Sequence, residues 1–289
     1  MAKQCRFEAE RKMAAAKLAC GRDFGEQIEA INKYGNHGVS PVLRAGVLAA
    51  HGIRNPKDKA DVAVFFGCYR PFTTPFLLRD YLRLLDILGV DYTFFKREYC
   101  CGLPLVMQSD QGELADNRLA GYEFNQRNLA LARDKGASSM AYCCMGCVYA
   151  AKYHFREEQG EHAYMLDVIC NALDGKILRI APLTVGYFGG CQTFYNSVFP
   201  GVTLDWARYR RELARIEGLK IVDLSSSRCC KHAADMIVDQ AWKQNLDTIV
   251  TPCNGCYAAL KLAANNKVGL LTVPEILLRA FGYEAPRGV

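Results

Sequence analysis

Ten of the fourteen cysteines in this 289-residue chain fall into two copies of one order: a lone Cys, an adjacent Cys-Cys pair, then Cys-x-x-Cys. The first copy is Cys68, Cys100, Cys101, Cys144 and Cys147; the second is Cys191, Cys229, Cys230, Cys253 and Cys256. Thiolates are soft metal ligands, and five per copy exceed what one tetrahedral zinc takes. Adjacent cysteines also cannot both reach one small ion comfortably, whereas a cluster of several irons offers separate and bridging positions. Glycines beside the thiols (Gly67, Gly102, Gly146, Gly189, Gly190 and Gly255) let backbone come close and aim N–H groups at sulfur. The chemistry this predicts is one-electron transfer at two iron-sulfur sites.

The elements that must carry these residues are also duplicated. Asp61–Gly67 and Leu183–Gly190 read as buried strands ending at Cys68 and Cys191. Helical apolar spacing follows at 76–88 and 204–216, then short strands at 91–95 and 220–224 ahead of the Cys-Cys pairs. A second helix is predicted at 112–135 and 233–244. Strands at 138–142 and 248–251 then deliver each Cys-x-x-Cys, with helices continuing from Val148 and Tyr257. Every cysteine group thus falls where a strand stops, the place where open α/β sheets hold ligands. The fold class predicted is α/β: two pseudo-symmetric repeats, 61–182 and 183–289, each a short parallel sheet flanked by helices, plus a helical N-terminal extension over 1–60. That extension reads equally as a docking cap or as a plain helical layer, broken at Gly35-Asn36-His37-Gly38 and linked on through Asn55-Pro56-Lys57-Asp58.

A chain that is 51% hydrophobic can bury an ample core. Its net charge of +6 arises from 36 basic and 30 acidic residues scattered along the sequence, a pattern that argues against nucleic acid as a partner. The segment from Met1 to Cys20 mixes five basic residues with alanines and lacks the apolar stretch of a signal peptide. No run approaches the roughly 18 apolar residues of a membrane span. A reducing, cytoplasmic setting is expected, where paired thiols hold metal more often than they form disulfides. Cys5, Cys20 and Cys170 read as ordinary interior cysteines.

The segments FFGCYRPF, YCCGLPL, YCCMGC, YFGGCQTFYN, RCC and TPCNGC resemble the CCG-domain family. That family includes the B subunit of heterodisulfide reductase, the catalytic part of its D subunit, and CCG subunits of some succinate or fumarate oxidoreductases. The likeness runs from about residue 61 to 283. It implies two noncubane [4Fe-4S] clusters, one per repeat, facing each other across a pseudo-two-fold axis, with a disulfide bound between them and cleaved by one electron from each. Carried over, Cys68, Cys100, Cys101, Cys144 and Cys147 would hold the first cluster, and Cys191, Cys229, Cys230, Cys253 and Cys256 the second.

Two departures bear on that transfer. Gly102 follows the first Cys-Cys pair as in the family, but Lys231-His232 follows the second, and only 22 residues separate Cys230 from Cys253 against 42 between Cys101 and Cys144. The second site therefore stays open to a cubane or a differently ligated cluster. The extra thiol Cys143 could replace Cys144 as a ligand, since neighbours on a strand face opposite ways.

Around the sulfurs, His232 and His154 are candidate proton donors to a leaving thiolate. Arg70 and Lys231 could bind a substrate carboxylate or offset cluster charge. Tyr69, Phe72, Phe188, Phe194 and Tyr257 could keep water away. Reductive cleavage or formation of a disulfide is one expected function. The other is a non-catalytic relay or membrane-anchor subunit linked to a quinone, peripheral to the membrane through its basic N-terminal helix. No G-x-G-x-x-G follows a strand, and no ferredoxin-type cysteine run is present. Flavoprotein and ferredoxin-like iron-sulfur partner subunits are therefore expected.

Overall fold

The computed structural model describes residues 23–54, 56–157, 161–190, 192–226 and 228–283. Cys5, Cys20, the basic segment around them, Asn55 and the predicted ligand Cys191 lie outside the described residues. The described chain separates into two compact units, one running to Arg79 and resuming over Gly89–Met165, the other made of Asp80–Leu88 and the chain from Leu166 onward.

In the first unit the elements are α1 (Phe24–Tyr34), α2 (Pro41–Ala50), β1 (Val62–Phe65), α3 (Arg70–Thr73), the start of α4 (Pro75–Leu88), β2 (Tyr92–Phe94), α5 (Leu103–Gln108), α6 (Leu114–Asp134), β3 (Ser139–Tyr142), α7 (Met145–His154) and β4 (His162–Tyr164). The second holds the rest of α4, then α8 (Met165–Ala172), β5 (Arg179–Phe188), α9 (Gln192–Val198), α10 (Trp206–Ala214), β6 (Glu217–Leu224), α11 (Cys230–Lys243), β7 (Thr248–Thr251), α12 (Asn254–Ala264), β8 (Gly269–Thr272) and α13 (Val273–Ala280).

Each unit is built on a four-stranded, wholly parallel sheet, in the orders β2-β1-β3-β4 and β6-β5-β7-β8. The α/β class and the duplication are therefore as expected. Strands buried on both faces need continuous apolar runs; Val62–Phe65 supplies one, while Thr248–Thr251 buries Ile249 and Val250 together with Thr251. In both sheets the chain order reverses beside the first strand, so a crevice opens outside the carboxyl ends of β1 and β3, and of β5 and β7.

Four differences from the sequence expectation have physical causes. The fourth strands, β4 and β8, are only three and four residues long, too short to register an alternation. Strand β5 starts at Arg179 rather than Leu183, pairing Arg179 with Glu217 before a register shift. Helices α7 and α12 begin at Met145 and Asn254, earlier than Val148 and Tyr257, because Cys144 and Cys253 take extended conformations and act as N-caps. Likewise α11 begins at Cys230 rather than Ala233, capped by Cys229.

The segment before β1 is part of the first unit. Asp23 caps α1 by accepting from the N–H groups of Gly25 and Glu26, and Ser40 caps α2 ahead of Pro41. Val39 and Val47 pack on Phe72, while Ile31 packs with Cys100, Leu105 and Phe124. The decisive link is polar. Arg44 forms a 2.9 Å ion pair with Glu98, their side chains 6% and 3% exposed, and donates to the carbonyls of Phe95 and Lys96. Glu98 in turn accepts from the N–H groups of Phe66 and Gly67, at 2.8 and 2.9 Å, where β1 ends.

Removing one member of a buried ion pair leaves the other charge uncompensated, at a cost of about 3–5 kcal/mol. Arg44→Leu is expected to lose that much in urea unfolding, and Arg44→Leu combined with Glu98→Gln to lose less. Equal losses in the two proteins would contradict the pairing.

Candidate metal centres

In the first unit, all five predicted ligands converge at the carboxyl edge of the sheet. Cys68 follows β1, and its sulfur lies 3.4 Å from that of Cys100. Side-chain hydrogen bonds continue from Cys100 to Cys101, from Cys101 to Cys147, and from Cys147 to Cys144. Five sulfurs therefore form one unbroken chain. Cys100, Cys101 and Cys147 are buried; Cys68 and Cys144 are half-buried.

Local structure explains each placement. Gly67 has φ +85°, and a Cβ there would sit 3.3 Å from the Cys147 sulfur and 3.9 Å from the Cys144 Cβ. Backbone at this point thus leaves its space to the thiols. Gly102, also left-handed, turns the chain from the Cys-Cys pair into α5 and lies so close to α6 that a Cβ would come within 2.5 Å of the Gly121 Cα. Asn125 on α6 fixes that approach by donating to the carbonyls of Cys101 and Gly121. Cys144 and Cys147 occupy the N-cap and first turn of α7, where the helix dipole favours thiolate.

The sulfurs divide the available protons unequally. Hydrogen bonds from neighbouring thiols hold Cys101 well below the usual thiol range, Cys144 down to about 5 and Cys68 down to about 7. The donors, Cys100 and Cys147, are pushed well above it. Two thiolates 3.4 Å apart repel by about 5 kcal/mol at an effective dielectric of about 20. Arg70, itself buried and in charge and hydrogen-bond contact with Cys144, cannot alone keep five of them ionised. Several cations could. The donor set thus fits a group containing several metal ions and sulfide.

Cys143, beside Cys144 in sequence, is fully buried just after β3. Its N–H pairs with the Phe65 carbonyl, and burial pushes its thiol well above the usual range. His154 adjoins the site from α7; burial lowers its imidazole to about 4, against the pull of Cys101, so it is neutral at pH 7. Phe72 packs toward α2, and Tyr69 lies under the Arg70 guanidinium at 5.6 Å.

In the second unit, Cys230, Cys256, Cys253 and Cys229 are linked in the same manner. A hydrogen bond from Cys256 lowers Cys230, and Cys256 is raised in exchange. Tyr195 reaches the Cys253 sulfur at 3.9 Å and stacks on Trp206. Gly190, at φ +94°, passes over that ring, where a Cβ would come within 2.6 Å. The absence of a glycine after Cys230 is explained: this pair runs straight into α11, so no left-handed turn is required. Lys231 and His232 lie exposed in its first turn, the Lys231 Nζ 5.9 Å from the Phe194 ring centre. Phe188 is buried at the end of β5, Tyr257 is half-buried on α12, and Cys170 is buried.

The profile of the family described as CCG, a cysteine-rich domain, matches residues 62–151 and again 185–261, more than half of the chain. The chain belongs to that CCG family. Its relatives include the D subunit of dihydromethanophenazine:CoB–CoM heterodisulfide reductase from Methanosarcina mazei, 32% identical over 36% of this chain and 25% of that protein. The C subunit of anaerobic glycerol-3-phosphate dehydrogenase from Escherichia coli is 22% identical over 72% of this chain and 56% of its own length. An uncharacterized iron-sulfur protein of Methanocaldococcus jannaschii is 23% identical over 69% and 40% respectively. The chain thus spans between a quarter and just over half of the relatives it matches.

Three polar residues of the first CCG repeat's surroundings escape sequence reasoning: His37, Arg44 and Glu98. His37 places Nε2 3.3 Å from the Cys100 sulfur and is grouped with Cys68 and Cys100, all three ligand atoms within 4.8 Å of one another. Its signal was the Gly-Asn-His-Gly turn, which reads as a mere break. Glu98 was marked only by its position two residues before the Cys-Cys pair.

Because the Cys144 thiol is lowered to about 5, its thiolate persists through neutral pH and is lost only as pH falls through that value. In anaerobic apoprotein, iodoacetamide labelling of Cys144 read by mass spectrometry should still be fast at pH 6. Arg70→Met should move the midpoint upward. An unchanged midpoint would remove Arg70 from the electrostatics of this site.

Proposed function

We propose that this chain is the iron-sulfur subunit of a heterodisulfide-reductase-like complex, reducing or forming a disulfide by one-electron steps at two noncubane [4Fe-4S] sites. The observation that carries the reading is the single chain of five contacting sulfurs in the first CCG repeat, repeated in kind by the four described thiols of the second. The repeats we assign are 61–182 and 183–289, preceded by a helical segment to residue 60. Ligands assigned are Cys68, Cys100, Cys101, Cys144 and Cys147, then Cys191, Cys229, Cys230, Cys253 and Cys256.

When bound, such groups supply single electrons and iron to which sulfur can bind. The chain's own residues do the rest. Gly67 and Gly102 let backbone approach the sulfurs closely. Arg70 offsets negative charge beside Cys144 and is the residue we assign to meet an anionic substrate. Lys231 and His232, exposed beside Cys230, are assigned to hold a carboxylate and to give a proton to a departing thiolate. Tyr195 and Trp206 limit water around Cys253.

The relatives named as parts of reductases and dehydrogenases support a need for partners, which we assign as a ferredoxin-like iron-sulfur subunit and a flavoprotein. A second reading is a non-catalytic relay or membrane-anchor subunit passing electrons to a quinone; that a relative is named as a dehydrogenase subunit, with no disulfide in its name, keeps a role other than disulfide chemistry in view. No helix among the described residues is long and apolar enough to cross a membrane. In this reading we assign the chain a peripheral association with the membrane, through its complex. We place the complex in the cytoplasm.

Anaerobically purified protein should contain iron and acid-labile sulfide, and a disulfide substrate should induce a new low-temperature EPR signal. Cys101→Ser and Cys230→Ser should each lower the iron content. Redox cycling with quinols and indifference to every disulfide tested would favour the relay, and a colourless, iron-free protein would overturn both readings.

A further inference from the structure

The turn between α1 and α2 aims a side chain into the first sulfur site. Gly35 ends α1 in a left-handed conformation, its N–H on the Ile31 carbonyl, and lies flat against the chain leading to the Cys-Cys pair; a Cβ would come within 1.9 Å of the Glu98 carbonyl oxygen. Asn36 then closes a ring on Val39, accepting its N–H at 2.6 Å and donating to its carbonyl at 3.0 Å. Between them projects His37, 4% exposed. Its Nε2 lies 3.3 Å from the Cys100 sulfur, and the ring is in hydrogen-bond contact with Cys68 as well.

The spacing is that of ligands, not only of a hydrogen bond. Around one tetrahedral ion with metal–sulfur and metal–nitrogen bonds of about 2.3 and 2.0–2.1 Å, sulfur and nitrogen stand about 3.6 Å apart and two sulfurs about 3.8 Å. Here the His37 nitrogen is 3.3 Å from the Cys100 sulfur, which is 3.4 Å from that of Cys68. Three donors thus outline one face of a tetrahedron, to be widened slightly by an ion. We propose that His37 is a metal ligand, its Nε2 joining Cys68 and Cys100 at one iron of the first CCG site.

This rests on the iron-sulfur reading above and adds to it a donor that the five-cysteine pattern does not contain. The chemical consequence is a mixed nitrogen and sulfur corner.

Mössbauer spectroscopy of iron-57-loaded protein reads every iron in any redox state. One iron subsite should show the larger isomer shift of nitrogen ligation, and His37→Ala and His37→Gln should both abolish it, while Lys231→Ala leaves it intact. Circular dichroism confirms that each variant is folded. Spectra identical in the wild type and either His37 variant would overturn the proposal, His37→Gln being the case of a hydrogen bond alone. If neither wild type nor variant takes up iron, the iron-sulfur reading itself fails, and cobalt(II) titration of the apoprotein decides on His37. At least tenfold weaker binding, with loss of the tetrahedral visible bands in His37→Ala, supports ligation; equal affinity and spectrum overturn it.

Discussion

Sulfur packed against sulfur out of water sets the terms for everything else in the first unit. Each thiolate favours the charged state of no neighbour, so an isolated pocket of five can ionise only in part, as the split between Cys101 and Cys144 on one side and Cys100 and Cys147 on the other shows. Positive charge and N–H donors are what such a pocket calls for. The fold provides them at fixed points: a buried guanidinium at Arg70, a helix N-terminus at Cys144, and backbone brought close at Gly67. What remains uncompensated is the charge that metal ions would take up.

The two units answer the same need differently. In the first, the Cys-Cys pair is separated from its following helix by a left-handed glycine wedged against α6. In the second, the pair is itself the start of α11, which places Cys230 in a helical first turn and pushes the next two side chains to the surface. A shorter chain between Cys230 and Cys253 goes with this simpler route. The first site is enclosed by residues from well outside its repeat, whereas the second carries exposed basic groups.

Much of this was legible in the sequence because it depends on local patterns. Apolar runs ending in cysteine located β1, β3 and β7, and the repeated cysteine order gave the duplication and the family. Short strands without alternation, β4 and β8, could not be read that way. Neither could helix starts that use cysteine as a cap, since Cys144, Cys229 and Cys253 lack the side-chain oxygen that usually marks an N-cap. The polar clamp of Arg44 and Glu98 and the contact of His37 with Cys100 depend on residues 54 and 63 positions apart, a separation at which composition and periodicity are silent.

The Arg44–Glu98 pair also bears on where the first repeat can be said to begin. Similarity to the family starts at residue 62, yet the carboxylate that ties down the amides of Phe66 and Gly67 is neutralised by a cation eighteen positions earlier than that start. A polypeptide trimmed to the region of likeness would keep all ten cysteines of the repeated pattern and still lose the counterion that makes their platform rigid. Ancestry and mechanical integrity therefore have different borders in this protein, and the described residues ahead of β1 are as much foundation as appendage.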